Sequence, residues 1–436
     1  MLLESQSVHA ALDAAVQRYE ARNPRSKALH EEALKTFPGG NTRTVLHTSP
    51  FPLCMKSGKD YQVFSEDGDT YTDLTGEFSA GLYGHSNPVI LEALQNVMQN
   101  VGINISATTA QEQLFAQSMC TRFELERIRL TNSGTEANMH ALAAAKLFTG
   151  KSKVVAFSGA YHGGVYGFKD GKVAANNIDK ADWIVARYND LDSAVHAIKS
   201  EGVAAVILEA MQGAGGCICG TKEFLLGVQK AAKESGVVFI VDEVMTSRTS
   251  RAGLSAVHGL EPDMKTFGKY LGGGITFGAF GGRQDIMAVY DPRSDAAVAH
   301  SGTFNNNTLV THCGYTGLTK VYPPAVAEEF TKLGDLLLAR LNEATEGTSL
   351  YFTGTGTIAA SHFTADGQGE TKDGLVDIDA LKDLFWFELL ENGYWITRRG
   401  FYALILGTPE SELDRFVSVV KGFTTKYASL VQPRNA

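Results

Sequence analysis

The chain has 436 residues, 44% hydrophobic and 20% charged, with a formal net charge of −9, which suits a globular protein of two or three packed domains. An acidic chain with no block of Lys and Arg offers no electrostatic footprint for nucleic acid. Its longest apolar runs, such as 237–241, are too short to cross a bilayer, and Glu4 stands where a secretory leader would carry positive charge, so the expectation is a cytoplasmic protein without a membrane partner.

In chain order, apolar periodicity predicts helices over about 8–22 and 25–35, the second stopped by Pro38-Gly39-Gly40. Two β-rich runs, 61–64 and 70–74, flank Glu66-Asp67-Gly68-Asp69 and predict a hairpin. From about 150 to 285, short apolar runs at 154–157, 183–185, 204–208 and 237–241 alternate with helical segments. That alternation predicts parallel strands with helical crossovers, an α/β fold in which ligands gather at the carboxyl ends of the strands, here Ser158, Glu209 and Asp242. Near 320 the pattern changes to a helix over 326–341, a Gly/Thr-rich strand over 353–363 and a polar loop at 366–372. A core-facing stripe of Leu381, Leu384, Phe385 and Leu389 follows, then a last helix from about 412. The expected division is a helical and hairpin segment at 1–75, a large domain at 76–322 and a smaller domain at 323–436.

Five cysteines, an odd count without Cys-x-x-Cys spacing, read as reduced thiols. Cys217 and Cys219 are too close together for ordinary zinc ligation, and the eleven histidines form no His-Glu-x-x-His, so no metal site is expected. Gly213 and Gly215 begin a dinucleotide-like loop, but Ile218 replaces its third glycine.

The chemistry gathers at four places. Lys269, in Phe267-Gly268-Lys269-Tyr270, follows Asp242 at the end of a buried-strand pattern. A lysine amine that can hold an aldehyde as a Schiff base, with a carboxylate that can keep a pyridine nitrogen protonated, points to pyridoxal 5'-phosphate (PLP). Taken alone, a Gly-Lys-x-x-Gly-Gly-Gly string is more often a surface turn. Thr131-Asn132-Ser133-Gly134-Thr135-Glu136-Ala137-Asn138 reads as a helix start whose N–H groups and hydroxyls suit a phosphate, although an ordinary N-cap looks the same. Tyr161, in Tyr161-His162-Gly163-Gly164, stands where an aromatic could stack on a pyridine ring, although a half-buried loop aromatic is commoner. Together the four are hard to explain as coincidence.

With these strings, and with Phe51-Pro52-Leu53, Asp242-Glu243-Val244-Met245-Thr246-Ser247-Arg248 and His300-Ser301-Gly302-Thr303-Phe304-Asn305-Asn306-Asn307, the chain resembles the class III, fold-type-I PLP aminotransferases over nearly its whole length. Within them it is most similar to the β-phenylalanine aminotransferases. The resemblance implies a large domain with a mostly parallel sheet between helices, plus a smaller α+β domain drawn from both chain ends. It also implies a homodimer with shared active sites. Lys269 would bind the cofactor and move the substrate proton, and Asp242 would pair with the pyridine nitrogen. Val244 would pack on the ring face opposite Tyr161. Ser133, Gly134 and Thr135 would hold the phosphate, joined by Thr303 from the second subunit, with Glu209 and Gln212 near the ring oxygen. Arg43 would take the carboxylate of a β-amino acid and Arg399 the α-carboxylate of a keto acid such as 2-oxoglutarate or pyruvate, in a ping-pong transamination. Which of Arg398 and Arg399 points inward is open at this stage. The rivals are a glutamate-1-semialdehyde-type aminomutase, another class III ω-amino acid or amine transaminase, a lyase on the same cofactor, and a non-enzymatic descendant. The last would be expected to have lost Lys269 or Asp242.

Overall fold

The computed structural model describes residues 2–364 and 378–432, with side chains from residue 7 onward; the polar loop expected at 366–372 lies outside the described residues. A seven-stranded sheet forms the centre of an α/β fold. Its order is Arg127–Thr131, Gly278–Gly282, Met264–Gly268, Val238–Asp242, Val203–Leu208, Lys153–Phe157 and Trp183–Ala186. The last five of these run parallel. Val203–Leu208 and Val238–Asp242 are buried at every position, which is why they read as continuous apolar runs: helices cover both faces of a parallel sheet.

Gly278–Gly282 runs antiparallel to both its neighbours, and sequence reasoning did not predict it. Glycine is depleted in strands, yet here it is required by close approach. A Cβ at Gly278 would lie 2.0 Å from the Ser133 carbonyl oxygen, and one at Gly282 2.0 Å from that of Asp263.

Met55–Lys59, Gln62–Ser65 and Thr70–Asp73 form an antiparallel ladder, extended by Tyr394–Trp395 lying parallel to Thr70–Asp73. The expected hairpin is present, with Val63 opposite Tyr71. The single strand expected over 353–363 is instead two, Leu350–Thr355 and Ile358–Phe363, paired antiparallel with Thr355 opposite Ile358. Gly356, at φ 55°, turns the chain between them. Phe401–Ala403 completes that three-stranded sheet.

The predicted helices occur as Leu2–Arg22, Pro24–Ala33, Pro324–Ala344, Asp379–Glu391 and Glu410–Lys426. Leu381, Leu384, Phe385 and Leu389 are all buried, as their spacing requires.

Two backbone features set up the site. Asp242 is the last residue of its strand, while Ser158, Glu209 and Lys269 each follow the last residue of theirs, so all four lie at the carboxyl edge. Facing them is a tight turn in which Gly76, Glu77, Phe78 and Ser79 take φ of 50°, 45°, 54° and 75°. Three consecutive non-glycine residues in the left-handed region store strain of the kind found at functional sites.

Candidate active site

The Asp242 carboxylate is buried and held at both oxygens. Its Oδ2 accepts from Asn138 Nδ2 at 2.8 Å and lies 2.8 Å from His162 Nδ1, while its Oδ1 accepts from the Val244 N–H at 2.9 Å. Asn138 is fixed in turn by Thr266 Oγ1, which donates to its Oδ1 at 2.6 Å. Such a carboxylate cannot rotate freely, and its negative charge favours a protonated partner. Asn138 and His162 stand in strings that the sequence singled out, but neither was given a role. Their signal is three-dimensional: one lies on the first helix after the Arg127–Thr131 strand, the other on a loop after Lys153–Phe157, and the fold brings them together at Asp242, where Asn138 Nδ2 also donates to the His162 carbonyl at 3.0 Å.

Lys269 sits at φ 58° directly after the Met264–Gly268 strand, and its Nζ donates to the Phe78 carbonyl at 2.5 Å. Its pKa is pushed down to about 8 by burial of the ammonium and next by the Arg399 guanidinium, so a far larger share of the amine is neutral near physiological pH than in an ordinary lysine.

The helix Gly134–Thr149 begins beside this group. Ser133 is its N-cap, accepting from the Glu136 N–H at 3.2 Å, and Glu136 Oε2 reaches back to the Asn132 N–H at 2.8 Å. This is an N-cap whose first-turn glutamate closes back onto the residue before the cap, a variant of the capping box. It leaves the first-turn N–H groups without intrahelical partners at the positive end of the helix dipole. Val244 packs onto this turn: a Cβ at Gly134 would lie 2.9 Å from both Val244 methyls, and one at Gly268 3.3 Å from its Cγ1. The Tyr161 loop reaches the same place through Thr135 Oγ1, which accepts from the Gly164 N–H at 3.2 Å.

Glu209 orders the other side. Its carboxylate accepts from the backbone N–H groups of Tyr161 and Gly213, each at 3.1 Å. Burial pushes its carboxyl up from the ordinary range; His162 works against this and Asp242 adds to it. Gln212 donates to the Ser158 carbonyl at 2.8 Å, and its own Oε1 is buried without a hydrogen-bond partner. The Tyr161 ring is half exposed, and its hydroxyl is raised by partial burial, opposed by Arg399 and reinforced by Asp242.

The two arginines expected to bind substrate meet at one aromatic ring. Arg43 lies 5.5 Å and Arg399 5.6 Å from the centroid of Phe78, and Phe78 stacks on Phe401 at 6.3 Å and 13°. Arg43 also pairs with Glu77 at 2.7 Å. Arg398 is already engaged: its fork holds both oxygens of Asp383 at 2.6 Å, and Nη1 donates to the Ser49 carbonyl. A cavity of about 620 Å³, lined among others by Val45, Gly213, Arg399 and Phe401, opens beside them. Thr303 is not part of this cluster in the single chain. It is exposed on a surface segment, tethered two residues on by Asn132 donating to Asn305 Oδ1 at 3.0 Å.

A lysine, an oriented carboxylate, a helix N-terminus, and the orphaned Gln212 oxygen form a donor set that fits PLP. Comparison with known proteins agrees. The family description "Aminotransferase class-III" matches residues 46–169 and 168–405. The chain belongs to the class III aminotransferases and is a PLP-dependent transaminase. It is 44% identical over 435 residues to an uncharacterized aminotransferase of Schizosaccharomyces pombe, covering 99% of each. It is 41% identical to the β-phenylalanine transaminase of Variovorax paradoxus, covering 98% of this chain and 100% of that one. The crystal structure of the β-phenylalanine aminotransferase from Variovorax paradoxus superposes with a TM-score of 0.95 at 40% identity, again over 98% and 100% of the two chains. A glutamate-1-semialdehyde 2,1-aminomutase of Caldicellulosiruptor saccharolyticus is 31% identical, over 92% of this chain and 98% of its own. Among the described residues, no helix is long and apolar enough to cross a membrane.

Proposed function

We propose that this transaminase moves the amino group of a β-amino acid, with aromatic donors such as β-phenylalanine favoured, to an α-keto acid such as 2-oxoglutarate or pyruvate by a ping-pong mechanism. The observation that carries this reading is the pair of guanidiniums, Arg43 and Arg399, on the single ring of Phe78, whose carbonyl accepts from Lys269. A β-amino acid and an α-keto acid place their carboxylates at different distances from the reacting carbon. Two arginines offer each its own fork. The ring of Phe78, stacked on Phe401, gives an aromatic donor an apolar surface.

When bound, PLP supplies an aldehyde carbon and an electron sink. Lys269 would hold the aldehyde and then, as a free amine, carry the proton between the donor carbon and the cofactor carbon. Asp242, oriented by Asn138 and His162, would keep the pyridine nitrogen protonated. Ser133, Gly134 and Thr135 would hold the phosphate. Tyr161 and Val244 would bracket the ring, with Glu209 and Gln212 at its oxygen side. Arg43 would bind the donor carboxylate and Arg399 that of the acceptor.

The proposal includes a homodimer in which Thr303 of one subunit reaches the phosphate of the other. Exposed apolar side chains at Met98, Ile103, Ile105 and Phe304 support a surface that is covered by a second copy.

Mixing the loaded enzyme with each enantiomer of β-phenylalanine in the absence of keto acid tests the reading. One equivalent of keto product per subunit, with further turnover only after 2-oxoglutarate is added, is the expected result. Product formed only from ω-amines would move the donor class, and an isomerised amino acid formed without any keto acid would make the enzyme an aminomutase.

A further inference from the structure

The site already contains a carboxylate seated on Arg43. Glu77 Oε1 lies 2.7 Å from Arg43 Nη1, with 46% of the arginine side chain and 57% of the glutamate side chain exposed. An ion pair this open to water is weak, so a second carboxylate can displace it with only about a two- to fivefold effect on its own binding. The released Glu77 side chain can remain hydrated.

Several features set this pair apart from an ordinary surface contact. Glu77 lies inside the left-handed turn, with its backbone at φ 45°, immediately before Phe78. Phe78 carries Arg43 and Arg399 against its ring and accepts from Lys269 at its carbonyl. Arg399 has no carboxylate partner among the described residues, whereas Arg43 has Glu77. The two guanidiniums therefore meet an incoming substrate in different states: one is free, the other already neutralised.

We propose that Glu77 is a specificity-determining residue, an exchangeable internal carboxylate that occupies Arg43 between donors and is displaced by the carboxylate of the incoming β-amino acid. It returns when the substrate carries no carboxylate for Arg43. An acceptor with a single carboxylate, such as pyruvate, engages Arg399 while Glu77 keeps Arg43 paired. An amine donor without a carboxylate likewise enters without leaving a bare cation beside the ring. The inference rests on the proposed role of Arg43 in binding the donor carboxylate.

The test is calorimetric titration of the PLP-loaded enzyme with 3-phenylpropanoate, which has the donor's carboxylate and aromatic ring but no amine. Glu77→Gln removes the competing charge while keeping the side-chain shape and the same demand on the backbone. The expected result is a Kd about two- to fivefold lower in Glu77→Gln and at least about tenfold higher in Arg43→Gln. In the double variant the Glu77 effect should disappear, because no cation is left to compete for. Glu77→Ala is to shift Kd in the same direction as Glu77→Gln, which separates loss of charge from any change in the turn. Unchanged or weaker binding in both Glu77 variants, with Arg43→Gln still weakening it, overturns the role of Glu77 alone. Binding indifferent to Arg43→Gln overturns the carboxylate assignment beneath it.

Discussion

His162 Nδ1 lies 2.8 Å from the same Asp242 oxygen that Asn138 reaches at 2.8 Å, so one carboxylate oxygen is clamped between an imidazole and an amide from two different elements. Among the described residues, the other oxygen is held by one protein donor, the N–H of Val244. A carboxylate arranged in this way presents a fixed direction to a ring nitrogen instead of a rotating charge.

Removing either clamp leaves that buried oxygen one donor short. A hydrogen bond to a charged group contributes about 1.5–3 kcal/mol, so Asn138→Ala or His162→Ala is expected to weaken PLP binding by about 10- to 150-fold. Equilibrium dialysis of the cofactor-free variants measures this directly. A change below about twofold in both would mean that Asp242 is oriented without them.

The Lys269 amine gives a pH signature. Its pKa is lowered to about 8 by burial and then by Arg399, below the ordinary value of lysine. In the cofactor-free protein the native state therefore releases this proton first. Between pH 8 and the ordinary lysine range the native state binds fewer protons than the unfolded chain, and stability rises with pH through that window. The dependence should vanish in Lys269→Met. Acylation of Lys269 should show a midpoint near pH 8, and Arg399→Gln should move it upward. A midpoint in the ordinary lysine range in the native protein would contradict the burial argument.

Arg248 is fully buried at 0% exposure and has no carboxylate partner among the described residues. Its Nη2 donates to the Leu404 carbonyl at 2.5 Å and its Nη1 to that of Ser79 at 3.4 Å, joining the strained turn to the end of the Phe401–Ala403 strand. Arg248→Ala, which opens a cavity at this junction, is expected to cost about 2–5 kcal/mol in denaturant unfolding. Arg248→Met keeps most of the volume and removes a buried charge, so it should cost much less. Equal losses would show that the charge, not the packing, holds the junction.

What the sequence revealed follows physical lines. Asp242 was legible because strand ends in a parallel sheet have an address: an apolar run stops, and the next polar residue faces the ligand edge; Lys269 was legible by its chemistry, an amine paired with that carboxylate. The Ser133 helix start was readable for a similarly local reason, an N-cap residue ahead of a helical run. Glycine strands and left-handed turns hid what they do. Gly278–Gly282 has only Phe280 as a strand-favouring residue, and its glycines are there because neighbouring carbonyls leave no room for a Cβ. Nothing in Glu77-Phe78-Ser79 announces three positive φ values, since none of these residues favours them. The run 353–363 was read as one strand because a two-residue turn barely interrupts its composition. Asn138 and His162 needed the fold itself, being 24 residues apart in sequence and brought together by a direct hydrogen bond and by their shared hold on Asp242.

The sequence alone could not separate Arg398 from Arg399, and their environments now give them opposite expected phenotypes. Arg398 forms a two-pronged bond to Asp383, with both side chains about one-quarter exposed, and lies 5.6 Å from the rings of Trp386 and Phe387. A fork locked to a carboxylate and packed on aromatic rings is committed to the fold. Both arginines border the same cavity, but Arg399 touches Phe78 and Phe401 at 5.6 and 5.5 Å and has no carboxylate partner among the described residues. Arg398→Gln is therefore expected to lower unfolding free energy by about 1.5–3 kcal/mol with little change in KM for 2-oxoglutarate. Arg399→Gln should leave the denaturation midpoint in place and raise that KM by about tenfold or more, as loss of a charge-assisted fork requires. Chemical denaturation and steady-state kinetics on the same two variants decide between them. A KM that followed Arg398 and ignored Arg399 would mean that Asp383 yields its partner to the substrate, and it would reverse the assignment.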